Sequence, residues 1–135
     1  MTVVVDADVL IGALDASDRH HRASRTLFID WHRSETAVLI SAVNLSEVLV
    51  APAADRQKLR RARTAIATLG VVVHTPGEAI SVDAARLRQV YPISLPDAYC
   101  LATAVSLDAA VASFDQKVAR AARAEGIARV SRRRS

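Results

Sequence analysis

Four carboxylates occupy positions from which they could act together. Asp6 directly follows the apolar run at residues 3–5, and Asp115 comes three residues after the run at 109–112. Glu47 lies about one turn into a predicted helix, and Asp97 lies at the start of another. Clustered carboxylates repel one another unless a proton or a cation balances their charge, and ligand sets made only of oxygen suit Mg²⁺ or Mn²⁺. These residue types therefore predict a divalent metal site.

Each of these residues also has a purely structural interpretation, as a helix cap. Asp6 could cap the helix that follows it, and three capping-box spacings are Asn44-x-x-Glu47, Ser94-x-x-Asp97 and Ser113-x-x-Gln116. Two features favour the metal site. Apolar residues surround Glu47 in the sequence, so a buried carboxylate is expected there at some cost. In addition, Lys117 and Arg120 near Asp115 are the only cations at helical spacing from any of the four acids.

The elements that must position these acids alternate between strands and helices. We predict strands at 3–5, 37–40, 71–74 and 109–112, with a last edge strand at 128–130. Helices are predicted at 9–14, 20–32, 42–50, 55–69, 79–90, 96–106 and 115–124. This alternation indicates an α/β fold with a parallel sheet of four to five strands and helices on both faces. In such sheets the functional site lies outside the carboxyl ends of the strands.

The composition indicates one domain at residues 1–130, followed by a basic tail at 131–135 that we expect to be flexible. The chain has 135 residues, 51% of them hydrophobic, and a formal net charge of +4. Without Arg132, Arg133 and Arg134 it has 15 basic and 14 acidic residues, so most of the positive charge belongs to the tail. No apolar run is long enough for a membrane helix, and no export signal opens the chain. With the single cysteine Cys100, this predicts a cytoplasmic protein.

Four segments resemble one known family in order and spacing. They are Val-Val-Val-Asp-Ala-Asp-Val-Leu-Ile at 3–11, Ser-Ala-Val-Asn-Leu-Ser-Glu-Val-Leu at 41–49, Leu-Pro-Asp-Ala at 95–98, and Ser-Phe-Asp at 113–115. Over nearly the whole chain up to the tail, the sequence resembles the PIN-domain ribonucleases, and specifically the VapC-type toxins of type II toxin–antitoxin systems. Two positions depart from the family pattern. Phe114 replaces a residue that is usually polar, and Asp8 replaces one that is usually Ser or Asn.

The resemblance implies a single PIN-like domain that acts as a Mg²⁺- or Mn²⁺-dependent endoribonuclease on structured RNA, such as tRNA or rRNA. Asp6, Asp97 and Asp115 would then hold one or two ions, and Glu47 would coordinate directly or through water. Glu47 or Asp97 would orient or deprotonate the attacking water. The resemblance also implies a homodimer and a cognate antitoxin whose basic side chain enters the acidic pocket.

Basic side chains at the rim are candidates to hold the RNA backbone. They lie in the tail and on the helix at 55–69, namely Arg56, Lys58, Arg60, Arg61 and Arg63. A solvated helix face is the simpler interpretation of this helix, because surface helices are often charged. Cys100, Phe28 and Trp31 are predicted to be core residues.

Two other functions remain open on the residues alone. Asp6-Ala7-Asp8-Val9 fits the opening pattern of haloacid-dehalogenase-like phosphatases, with Asp6 as the nucleophile and Asp8 as the acid/base. That chemistry also needs a lysine after a later strand and a second acidic pair, which the sequence does not offer clearly. A non-catalytic module of the same fold that binds RNA or a protein partner is the other alternative. The presence of all four acids argues against it.

Overall fold

A four-stranded parallel sheet forms the centre of the molecule. The computed structural model describes residues 1–130, so the predicted tail at 131–135 lies outside the described residues. The strands are β1 (Thr2–Val5), β2 (Ala37–Ser41), β3 (Val71–His74) and β4 (Ala110–Ala112), in the order β3-β2-β1-β4. All three pairings are parallel, and Val3 of β1 lies opposite Val38 on one side and Ala110 on the other. The predicted α/β fold is confirmed.

Seven α-helices connect and cover the strands. They are α1 (Ala7–Leu14), α2 (His21–Arg33), α3 (Ala42–Leu49), α4 (Arg56–Thr68), α5 (Glu78–Val90), α6 (Leu95–Ser106) and α7 (Gln116–Ala124). A short 3₁₀ helix at Pro52–Ala54, which the sequence did not predict, joins α3 to α4. Helix α1 begins two residues earlier than predicted because the Asp6 side chain caps it at Ala7. None of the helices within residues 1–130 is long and apolar enough to cross a membrane.

The predicted edge strand at 128–130 is reduced to a single bridge. Arg129 pairs in parallel with Val111, and no further ladder forms in the described part of the chain. Gly126 ends α7 in the left-handed conformation at φ 71°, and Ile127 then packs into the core. Within residues 1–130 the sheet therefore has four strands.

Each face of the sheet buries its own apolar core. Along β1, Val4 faces the side covered by α5, α6 and α7, whereas Val3 and Val5 face the side covered by the first four helices. Helices cover both faces of the central strand β1, as expected for a parallel sheet, and this explains its unbroken apolar run. On the edge strand β3, Val72 and Val73 are exposed. Phe28 and Trp31 are buried as predicted, and their rings pack edge to face with centroids 5.0 Å apart.

The strand order determines where a site can form. The chain winds from β1 through β2 to β3, then returns to the other side of β1 to add β4. The loops after β1 and β4 therefore diverge at this switch point and leave a crevice at the carboxyl edge of the sheet. Helix α6 leads into the parallel strand β4, so it runs antiparallel to the strands and its first turn, with Asp97, lies at the same edge.

A close approach of α1 and α2 at Gly12 yields a first test. A Cβ at Gly12 would overlap Ser24 Oγ and lie 3.3 Å from the carbonyl oxygen of His20. We expect Gly12→Ala to lower the free energy of unfolding by about 1–3 kcal/mol, the usual cost of overpacking. Urea unfolding monitored by circular dichroism measures it.

Ser24 supplies the matched control for this test. Its hydroxyl is buried and has no hydrogen-bond partner among the described residues, so Ser24→Ala should be nearly neutral. In the Ser24→Ala background, Gly12→Ala should lower the free energy of unfolding by well under half of the amount seen in the wild type, because Ser24 Oγ is no longer there to overlap. An equal cost in both backgrounds would contradict the proposed contact.

Candidate active site

Asp6 is the most buried carboxylate of the protein's four predicted site residues, with 4% of its surface exposed. Its backbone N–H donates to the Ala112 carbonyl at 2.9 Å, which joins the end of β1 to β4. Its Oδ1 accepts a hydrogen bond from the Ala7 N–H at 2.8 Å, and its Oδ2 accepts one from the Ser113 hydroxyl at 2.8 Å. The side chain is therefore fixed between the start of α1 and the loop after β4.

The charge of Asp6 is poorly compensated. Burial, followed by the charges of Asp8 and Asp97, raises the pKa of Asp6 to about 7, and the two hydrogen bonds only partly offset this. The ion pairs among the described residues join Arg86 to Asp83 and to Glu125, so none of them involves Asp6. A carboxylate in such surroundings favours either a proton or a bound cation.

Asp97 and Asp115 lie at the starts of two helices that meet this crevice. Asp97 is half-buried in the first turn of α6, where its N–H donates to Ser94 Oγ at 3.2 Å. Burial raises the pKa of Asp97, and the charge of Asp115 adds to this effect. Asp115 is exposed and is the N-cap of α7, accepting from the Lys117 N–H at 2.7 Å. The charge of Asp97 thus acts on Asp6, and the charge of Asp115 acts on Asp97.

Glu47 occupies a different position from the one expected. The sequence predicted a costly buried carboxylate, but Glu47 is exposed on α3 while its neighbour Val48 is buried. The prediction of burial was wrong because successive residues point about 100° apart around a helix, so apolar sequence neighbours do not enclose a side chain. Glu47 is not among the charges that raise the pKa of Asp6 or Asp97. It lies at the rim of the site.

Asn44 links Glu47 to the rest of the site, a role that sequence reasoning missed. Asn44 is fully buried, and its side-chain amide donates to Glu47 Oε1 at 3.2 Å and to the Pro96 carbonyl at 3.1 Å. It does not cap α3, because Ser41 does so instead. The amide holds Glu47 next to the turn that carries Asp97.

Asp8, whose role the sequence left unassigned, anchors the loop after β4. Its Oδ2 accepts the Phe114 N–H at 2.9 Å, and its Oδ1 is buried without a hydrogen-bond partner among the described residues. Phe114, the departure from the family pattern, stacks its ring on His20 with centroids 4.3 Å apart. The apolar residue at this position thus has a partner at the start of α2.

Cys100 lies beneath the acidic group. It is fully buried on α6, as predicted for a core residue. Burial raises the pKa of its thiol, and the charges of Asp6, Asp97, Asp8 and Glu47 raise it further. The charges of four carboxylates from three different segments thus affect the pKa of one buried thiol. Negative charge is concentrated at this edge of the sheet.

The chemistry of these side chains fits a hard divalent cation. The ligand atoms are carboxylate oxygens, Asp8 Oδ1 is an unpartnered buried acceptor, and the raised pKa of Asp6 reports uncompensated charge. Within residues 1–130, however, no group of three or more Asp, Glu, His or Cys side chains is arranged to hold an ion. Oxygens of Asp6, Glu47 and Asp115 accept hydrogen bonds instead. Binding a cation would therefore require these oxygens to exchange a hydrogen-bond partner for the ion.

Two grooves border the acidic group and supply positive charge. The first, about 680 Å³, lies between α1, α3 and α4 and is lined by Glu47, Lys58 and Arg61. Of the five basic residues of the helix at 55–69, only these two line it. The second, about 650 Å³, lies beside β4 and is lined by Ser113, Phe114, Arg19, Arg22 and Val130, among others. We call it the β4-edge groove.

The raised pKa of Asp6 gives a pH-dependent test of the site. Because this pKa, about 7, lies above the usual 3.8, the folded chain retains a proton that the unfolded chain loses. The contribution of Asp6 to the free energy of unfolding is therefore greatest below about pH 4 and falls by up to about 4 kcal/mol as the pH rises through 7. In EDTA, Asp6→Asn should be more stable than the wild type at pH 8, and this advantage should shrink at pH 5.

Urea unfolding at the two pH values measures this difference. Asp55→Asn, at the exposed cap of α4, is the matched control and should show no advantage that grows with pH. An Asp6→Asn chain that is less stable than the wild type at both pH values would show that Asp6 acts mainly as a cap.

Several solved structures share this fold. The Mycobacterium tuberculosis toxin VapC20, described as cleaving the sarcin–ricin loop, is 17% identical with a TM-score of 0.72, covering 88% of this chain and 94% of its own. A toxin–antitoxin complex from Klebsiella pneumoniae is 26% identical with a TM-score of 0.70, covering 85% and 88%. VapBC2 from Rickettsia felis, bound to a fragment of promoter DNA, is 11% identical with a TM-score of 0.74, covering 96% and 98%.

The sequence comparisons are consistent with these structures. No curated protein sequence matches the chain significantly. The family model described as the PIN domain matches residues 3–124, a range that includes all four predicted acids. This match extends over well more than half of the sequence, and the chain therefore belongs to the PIN domain family.

Proposed function

We propose that this chain is a metal-dependent endoribonuclease that cleaves structured RNA, tRNA or rRNA, as the toxin of a toxin–antitoxin pair. The observation that carries the proposal is the uncompensated group of Asp6, Asp97 and Asp115 at the switch point of the sheet. Similarity to the Klebsiella pneumoniae toxin–antitoxin complex, and to a toxin described as cleaving the sarcin–ricin loop, supports it.

Asp6, Asp97 and Asp115 are the residues that would hold one or two Mg²⁺ or Mn²⁺ ions, with Glu47 binding directly or through water. A bound ion lowers the pKa of water and stabilises charge on a phosphate. The chain's own contribution is positional. Ser113 fixes Asp6, and Asn44 holds Oε1 of Glu47 so that its second oxygen is free to orient a water or accept its proton.

Basic side chains at the rim would attract a polyanionic substrate that the nearby carboxylates repel. Lys58 and Arg61 line the groove that contains Glu47, and phosphate contacts from such side chains position an RNA backbone without reading its sequence. A cytoplasmic antitoxin would inhibit cleavage by placing a basic side chain in the acidic site, where its positive charge would complement the carboxylates. A homodimer belongs to the same proposal.

The phosphatase alternative has less support. It would require a lysine beside Asp6, whereas Lys58 lines the groove near Glu47 and Lys117 is exposed on α7. It would also require Asp8 to act as a mobile acid/base, but Asp8 Oδ2 is held by the Phe114 N–H. Neither observation favours phosphoryl transfer to Asp6.

RNA cleavage by purified protein tests the proposal. We expect discrete fragments from total bacterial RNA with Mg²⁺ or Mn²⁺ and none with EDTA. Asp97→Asn should reduce the cleavage rate at least about 10²-fold, because removal of a charged ligand weakens both metal binding and the alignment of the water. Asp30→Asn, near the end of α2 at the opposite edge of the sheet, is the matched control. Cleavage that survives EDTA or Asp97→Asn would refute the mechanism.

Glu47 has its own test because it lies apart from the three aspartates. Glu47→Gln keeps the hydrogen bond from Asn44 but removes the charge, so we expect the cleavage rate to fall by about 10²-fold at unchanged stability. Glu35→Gln, in the exposed turn after α2, is the control for loss of a glutamate charge. Full activity of Glu47→Gln would exclude Glu47 from the site.

A further inference from the structure

The β4-edge groove adjoins the loop that carries Ser113 but has no role in the mechanism above. It lies beside β4, whose residue Val111 pairs with the segment at 128–130, and between the start of α2 and the start of α7, with a volume of about 650 Å³. One of its lining residues, Ser113, donates to Asp6. Ser113 therefore links the groove to Asp6, although none of the four predicted acids is among the residues that line it.

Two arginines in this groove have no ion-pair partner among the described residues. Arg19 and Arg22 line the groove and are exposed, and neither takes part in the ion pairs of residues 1–130. Arg19 Nε donates to His20 Nε2 at 3.2 Å, which fixes the guanidinium beside the imidazole ring. Positively charged groups at this position would offset the repulsion between the carboxylates and an approaching polyanion.

The same groove offers an aromatic surface held in place by the backbone. Phe114 lines the groove, and its ring stacks on His20 at an interplanar angle of 19°. The backbone N–H of Phe114 donates to Asp8 Oδ2, which holds in place the loop that carries the ring. Proteins that bind single-stranded nucleic acid combine cations along the backbone with aromatic rings on which bases stack. The β4-edge groove contains both.

We propose that the β4-edge groove binds the single-stranded nucleotides next to the scissile phosphate, with Arg19 and Arg22 on phosphates and Phe114 against a base. This inference rests on the proposed function for the identity of the scissile phosphate, but the binding itself does not need cleavage. Phe114, whose aromatic side chain departs from the family pattern, would then strengthen binding without selecting a particular base.

Salt-dependent binding tests the role of the arginines. The probe is a fluorescein-labelled single-stranded RNA of 12 nucleotides and mixed sequence, titrated in EDTA so that no cleavage occurs, with fluorescence anisotropy as the readout. Each lost phosphate contact should reduce the slope of log K against log salt by about 0.7, so we expect this for Arg19→Ala and for Arg22→Ala. Arg25→Ala removes the same charge from the helix that carries Arg22 but from a different groove, and should leave the slope unchanged.

Equal slopes of log K against log salt for all three arginine variants would overturn the proposal. A protein partner would then be the alternative occupant of the groove. Reduced slopes in a protein that never cleaves RNA would support the groove while refuting the nuclease. The two proposals therefore fail separately.

Crosslinking tests the aromatic surface. The same RNA with 5-iodouridine in place of uridine should form an ultraviolet-induced crosslink that mass spectrometry places in the peptide containing Phe114. Phe114→Leu keeps an apolar side chain of similar size and should weaken binding about 10-fold and remove the crosslink, whereas Phe114→Tyr should preserve both. Thermal unfolding checks that the variants fold. Crosslinks confined to other peptides, or equal binding by the Leu and Tyr variants, would show that no base stacks there.

Discussion

The buried charge of Asp6 is the constraint on which the rest of the site depends. An ionised carboxylate at the end of a central strand is costly unless hydrogen bonds or a cation compensate it. The chain supplies two hydrogen bonds, from Ala7 and Ser113, but surrounds Asp6 with further negative charge from Asp8 and Asp97. A fold built only for stability would avoid this arrangement, and this is the reason for proposing a cation at the carboxyl edge of β1.

The same side chains serve the fold and the site at once. Asp6 caps α1, and Asp115 caps α7, so each charge that repels its neighbours also satisfies backbone N–H groups at a helix start. Asp97 enters the site from a first turn that Ser94 caps. The structural and functional interpretations of these residues are therefore not alternatives. Capping fixes the carboxylates of Asp6 and Asp115 at their helix starts, and the charge of Asp97 acts on Asp6 from a segment far away in the sequence.

The sequence was most informative where local pattern determines structure. All four strands are apolar runs, so all four were visible, and the strand ends indicated that Asp6 and Asp115 would lie at the carboxyl edge of the sheet. Contacts between distant segments were not visible. The amide of Asn44 reaches Pro96, and Phe114 stacks on His20, and no local spacing encodes either pair. The orientation of Glu47 was also hidden, because helical neighbours in sequence do not share a face.

The pairing of β1 with β4 has a consequence for protein synthesis. The hydrogen bond from Ser113 to Asp6 joins residues 107 positions apart, and β1 cannot gain this neighbour until β4 has been made. Contacts of such long range form late, because the loop-closure entropy of the intervening chain must be overcome first. A ribosome translating this protein therefore carries an incomplete acidic crevice for most of elongation. For the proposed nuclease, this order of assembly would keep the nascent chain harmless to the ribosome and tRNAs that are making it.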